Sequence, residues 1–123
     1  MFRTLTMAGL VAAAAVGTAA AESSAVSAAF GNTIVSTYPD GRTAEIWLKP
    51  SGTYTGEGRR HDASSGKWDL KGGKICFHQH RPIPIGSFCT SIPSAGMGGS
   101  WKGKAPTGEP TTIRLVTGIV HGG

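Results

Sequence analysis

From residue 31 onward the apolar side chains recur at every second position in short runs, the spacing of half-buried strands rather than of helices. Asn32 to Tyr38 is a β-branched and aromatic run that ends in Pro39-Asp40-Gly41. There Pro presets φ and Gly accepts the left-handed position of a turn. Arg42 to Lys49 follows, with Ala44, Ile46 and Leu48 on one face and Glu45, Trp47 and Lys49 on the other. Pro50-Ser51-Gly52 turns the chain into a third run, Thr53 to Arg59, and the polar stretch Arg60 to Ser65 reads as a loop. Gly or Pro interrupts nearly every window that could otherwise sustain a helical period.

The sharpest local signal is Lys67-Trp68-Asp69-Leu70-Lys71, then Gly72-Gly73, then Lys74-Ile75-Cys76-Phe77-His78. A two-residue Gly-Gly link between alternating runs is a tight hairpin. It sets Leu70 opposite Ile75 and Trp68 opposite Phe77 on one face, and turn chemistry and hydrophobic pattern then agree on the register. Cys76, His78 and His80 fall together on the other face. The prolines of Arg81-Pro82-Ile83-Pro84-Ile85-Gly86 lack ladder donors, so this stretch is no interior strand. Ser87 to Ile92, Ser100 to Lys104 and Thr111 to Val120 complete the set. About seven or eight short strands with no intervening helix predict an all-β domain, a small antiparallel barrel or sandwich, with the barrel preferred.

The amino terminus adds a compartment. Arg3 is followed by an uncharged run from Met7 to Ala21, and Ala19-Ala20-Ala21 offers small residues for cleavage after Ala21. A cut after Ala28 also suits the residue pattern. The apolar run is about 15 residues, shorter than the roughly 20 of a membrane span. Residues 1–21 are therefore read as a signal peptide, 22–30 as a lead-in with a short helix at most, and 31–121 as a single β domain. The protein is expected to be periplasmic or secreted, with no membrane span after cleavage. Loss of residues 1–21 from 123 leaves 102, room for one small domain and little room for a large buried site.

Cys76 and Cys89 suit an oxidising compartment, and with two cysteines the pairing is forced. Removing Arg3 from the 12 Lys and Arg leaves 11 against 7 acidic residues, a net charge of +4. These cations are scattered with no run longer than two, which argues for solvated surface charge and against nucleic acid as a partner.

Gly66-Lys67-Trp68 and Gly99-Ser100-Trp101 each open a strand with Gly-x-Trp. In a small exported all-β domain with one disulfide, this device is similar to the lipocalin, avidin and bacterial protease-inhibitor group of barrels. In lipocalins the motif lies on the first strand; here it lies in the middle and late in the chain. Gly31-Asn32-Thr33-Ile34-Val35, Tyr38-Pro39-Asp40-Gly41-Arg42, Pro50-Ser51-Gly52-Thr53-Tyr54, Ser65-Gly66-Lys67-Trp68 and Gly72-Gly73-Lys74-Ile75-Cys76 more closely resemble small exported bacterial β-proteins of unknown function. That resemblance implies no activity and transfers no site residue.

Three constellations could carry chemistry. His78-Gln79-His80 offers two imidazoles on one strand face to Cu²⁺ or Zn²⁺, with His61, Asp62 or Asp69 as a third ligand. The proline-rich loop, through Arg81, Ile83 and Ile85, is a stiff element of the kind that inserts into a partner's cleft. His61-Asp62 with Ser64 and Ser65 holds the residue types of a nucleophilic relay, but sequence neighbours do not make one. No nucleophile elbow, P-loop or dinucleotide fingerprint occurs. The expectation is a monomeric, non-enzymatic binding module without a cofactor, its partner an unknown protein or envelope component. The alternatives are a periplasmic copper- or zinc-binding protein and a structural envelope accessory.

Overall fold

Four turns of the chain use one device. In Tyr38 to Arg42, Lys49 to Thr53, Gly58 to Asp62 and Ala105 to Glu109, each stretch is closed by backbone hydrogen bonds of 2.8–3.0 Å. The fourth residue of each has positive φ: Gly41 at 85°, Gly52 at 91°, His61 at 64° and Gly108 at 90°. Three of the four read Pro-x-Gly, which supplies both the fixed φ and the left-handed position. Gly72 and Gly73, at φ 57° and 78°, make the tightest hairpin in the manner of a type I′ turn.

These turns join eight antiparallel strands in a computed structural model that describes residues 26–84, 86–91 and 98–122. The strands are β1 (Thr33–Thr37), β2 (Thr43–Leu48), β3 (Thr53–Glu57), β4 (Ala63–Lys71), β5 (Lys74–Arg81), β6 (Ser87–Ser91), β7 (Ser100–Lys104) and β8 (Pro110–Val116). Residues 1–21, expected from the sequence to be a signal peptide, and Ile85 of the proline-rich loop lie outside the described residues. The sheet order is β6-β5-β4-β3-β2-β1-β8-β7, a meander that curls until its two edges approach. At that seam Ser91 Oγ donates to the Lys102 carbonyl at 3.5 Å, and a Cβ on Gly103 would lie 3.1 Å from Thr90 Oγ1. The result is a nearly closed barrel, and the disulfide Cys76–Cys89 joins the directly paired strands β5 and β6.

The hairpin register holds: Leu70 pairs with Ile75, Trp68 with Phe77 and Asp69 with Cys76. Three boundaries differ most from the sequence expectation. Ala63, Ser64 and Ser65 belong to β4 instead of a loop, because the inward Ser64 lines open space and so shows no hydrophobic alternation. β5 runs on to Arg81 past a bulge at Ser65/Gly66. β8 stops at Val116, since the chain turns at Gly118, φ 79°, and leaves the sheet.

The barrel has a closed and an open end. At the closed end Ile34, Leu48, Tyr54, Ile75 and Leu115 pack with Val26 and Ala29, which a hydrogen-bonded turn carries under the sheet. Phe30 meets Trp68 at 5.9 Å between ring centroids, and Trp68 Nε1 donates to the Lys49 carbonyl at 3.0 Å. Gly66 of the first Gly-x-Trp is glycine for a steric reason: a Cβ there would strike the His78 carbonyl across the bulge. No helix among the described residues is long and apolar enough to cross a membrane.

Candidate functional site

Inward positions change character along the barrel axis. Toward the closed end they are large and apolar, as above; toward the other end they become Ser36, Ala44, Ser64, Thr90 and Thr111. Side chains this short do not meet across an eight-stranded barrel. They leave a chamber of about 380 Å³, floored by Ile34, Tyr54, Ile75, Phe77 and Ile113 and walled by Phe88 and Trp101. The expectation of little room for a large buried site is thus corrected: small inward residues replace core volume with space. Tyr54 meets Phe77 edge-on at 5.1 Å, and burial pushes its phenol above the usual value.

The mouth lies among Tyr38, Gly58, Pro82, Ile83, Ala105 and Pro106, all on loops at one end. Arg59 ties three of those loops together. Its guanidinium makes two 3.1 Å hydrogen bonds to the Glu109 carboxylate, reaches Asp40 at 3.5 Å and covers the Tyr38 ring at 4.3 Å. Burial raises the Tyr38 phenol, and the Arg59 charge opposes that rise. The Thr107 hydroxyl and then Arg59 hold the Glu109 carboxyl below its ordinary value. The rim is fixed by charge and ring contacts while the chamber itself is mostly apolar.

On the outside, residues 118–122 run back across β1, β2 and β3. Thr33 Oγ1 is the anchor: it donates to the Gly118 carbonyl at 2.7 Å and accepts from Val120 N and Trp47 Nε1 at 3.0 Å each. His121 packs on Trp47 at 4.9 Å, and its Nδ1 is 3.5 Å from Glu57. Glu45, an outward residue of β2, is only 2% exposed with this strap beside it.

Of the proposed metal ligands the structure brings Asp69 to His78, while His61 is engaged elsewhere. His78 has both ring nitrogens engaged, Nδ1 with Ser87 Oγ at 2.7 Å and Nε2 with Asp69 Oδ2 at 3.2 Å. His61 instead pairs with Glu57 at 3.1 Å, and that hydrogen bond is the chief reason the Glu57 carboxyl lies below its ordinary value. His80 is exposed on the outer end of β5. Among the described residues no three His, Cys, Asp or Glu side chains are grouped to hold a metal ion. His61, Asp62, Ser64 and Ser65 do not assemble a relay either, for Ser64 faces inward and His61 binds Glu57. The proline loop is at the chamber mouth, with Arg81 exposed and Ile83 61% exposed. Asp69 beside His78 follows from the hairpin register, whereas Ser87 was missed by sequence reading because it enters only through the pairing of β5 with β6.

Fold and chamber together define a small up-and-down barrel with an apolar interior open at one end. Comparison with models of known protein families, with curated proteins and with solved structures finds no match.

Proposed function

We propose that this protein is an exported, non-enzymatic binding barrel that takes an apolar small molecule into its chamber. The carrying observation is the chamber: about 380 Å³, closed below by the packed core and open between the loops of the mouth. That volume is within the roughly 300–1,000 Å³ of small-molecule sites, which are typically apolar with few polar groups. Export rests on the leader-like residues 1–21, and the disulfide is compatible with it.

The test is a titration with the fluorescent apolar probe N-phenylnaphthylamine. A saturable rise in emission is expected for the native protein, and its loss in an Ala44→Leu, Ser64→Leu variant that still unfolds cooperatively. Equal binding by the filled variant would overturn the reading.

The exposed Ile83 supports a second reading, in which a partner protein docks on the mouth loop. Ile83→Asp then abolishes a protein contact while probe uptake persists.

A further inference from the structure

On the outer face of the sheet, side chains from three adjacent strands form one hydrogen-bonded chain. His78 of β5 has Nε2 3.2 Å from Asp69 Oδ2 of β4 and Nδ1 2.7 Å from Ser87 Oγ of β6. A carboxylate only accepts hydrogen bonds, so in the neutral imidazole Nε2 carries the proton and Nδ1 presents its lone pair to the serine. The Ser87 hydroxyl therefore donates to His78, and Asp69 fixes the tautomer that accepts it. This is the order of a carboxylate–imidazole–hydroxyl relay, in which the imidazole takes the hydroxyl proton as the oxygen attacks.

The sheet holds the relay in register. Cys76 and Cys89 are bonded Cα partners 4.0 Å apart, and His78 faces Ser87 two residues further along the same pair of strands. So short a spacing marks a non-hydrogen-bonded pair, where facing side chains are closest, and because the two kinds of pair alternate, His78 and Ser87 form another. The Ser87 N–H then points away from β5. Since β6 ends the sheet order, that N–H faces an edge with no paired strand, which leaves a donor beside the hydroxyl for an arriving carbonyl oxygen. Ser87 and Asp69 are exposed, His78 is partly so, and none of the three lines the chamber.

We propose that Ser87 is an acyl-acceptor site, a serine activated by His78 that is acylated by activated carboxylic esters. Ser87 Oγ bonds to the ester carbonyl carbon, its proton passes to His78 Nδ1, and the bond from that carbon to the leaving oxygen breaks. The leaving oxygen departs with the bonding electron pair and takes the proton from His78. The product is an ester of Ser87, a single modification of the outer barrel wall that is independent of what the chamber holds. His78 is the base and Asp69 a positioning residue.

The experiment treats the oxidised protein with p-nitrophenyl acetate and maps acetyl groups by peptide mass spectrometry before and after neutral hydroxylamine, which cleaves esters and spares the amides formed on lysines. A hydroxylamine-labile acetyl group is expected on Ser87 and not on Ser51, an exposed serine whose hydroxyl meets only Thr53. It should form about a hundredfold more slowly in His78→Ala, the lower end of what a positioned base supplies. Acetyl groups confined to amines, equal labelling of Ser87 and Ser51, or an undiminished rate in His78→Ala would overturn the proposal.

A readout on the unmutated protein guards against a variant that does not fold. The imidazole nitrogen resonances of His78 are expected to show Nε2 protonated, and Asp69→Ala is expected to lose that preference and slow the acetylation of Ser87 together. A native His78 protonated at Nδ1 instead, or an Asp69→Ala protein that keeps both the tautomer and the rate, contradicts the relay.

Discussion

Arg59 and Glu109, fifty residues apart in sequence, share two hydrogen bonds of 3.1 Å at the mouth of the barrel. The pair joins the β3–β4 turn to the β7–β8 turn and holds Arg59 over the Tyr38 ring at 4.3 Å. Glu109→Gln is expected to lower Tm by a few degrees, with the loss shrinking in high salt as the charge contribution is screened.

The same pair gives a pH dependence with a definite sign. Glu109 and Glu57 both have carboxyls held below their ordinary value of 4.5, by Thr107 and Arg59 in one case and by His61 and His121 in the other. A depressed folded value means the stabilisation is fully present above the ordinary value and is lost as pH falls through the depressed one. Urea unfolding from neutrality down into that acid range should show a falling midpoint, and Glu109→Gln should flatten part of the fall.

His61 occupies a turn position that glycine holds in the three sister turns, at φ 64°. It stays there with its ring on Glu57. Because left-handed backbone is unfavourable for residues with a Cβ, His61→Gly should be more stable than His61→Ala by about 1 kcal/mol in urea unfolding. Equal stabilities would mean that the turn relaxes without strain.

Val26 is 1% exposed and Ala29 0%, so both belong to the core that closes the barrel. A protein beginning at Glu22 keeps Val26; one beginning at Ala29 loses it. The shorter form is expected to be less stable by about 1.5–3 kcal/mol, the worth of a buried Val, in denaturant unfolding. Of the two cleavage points expected from the sequence, the one after Ala21 keeps Val26 in the core.

The Cys76–Cys89 pair closes a short loop between adjacent strands, with a sequence separation of 13. Its reduction should cost about 3 kcal/mol, seen as a lower urea midpoint in reductant that Cys76→Ser, Cys89→Ser reproduces without reductant.

Much of the architecture was legible from the chain because its turns carry their own chemistry. Gly72-Gly73 placed Leu70 on Ile75 and Trp68 on Phe77, and the cysteine pairing followed from their number. The chamber was not legible, for a physical reason. Hydrophobic alternation announces an inward position only where a large side chain fills it, and Ser64 or Thr111 in an inward row looks the same as in an exposed loop. The strap over Glu45 was hidden similarly: Gly118 and Gly122 offer the pattern nothing to register.

The most direct test of the central claim is a map of backbone amide shifts when N-phenylnaphthylamine is added to the oxidised protein. Binding in the chamber predicts the largest changes at Ser36, Ala44, Ser64, Phe88 and Thr111, with the outer-face residues Asp69, Ser87 and Arg114 unmoved. Changes confined to the exposed Ile83 and Ile119, or to the outer face, would contradict it.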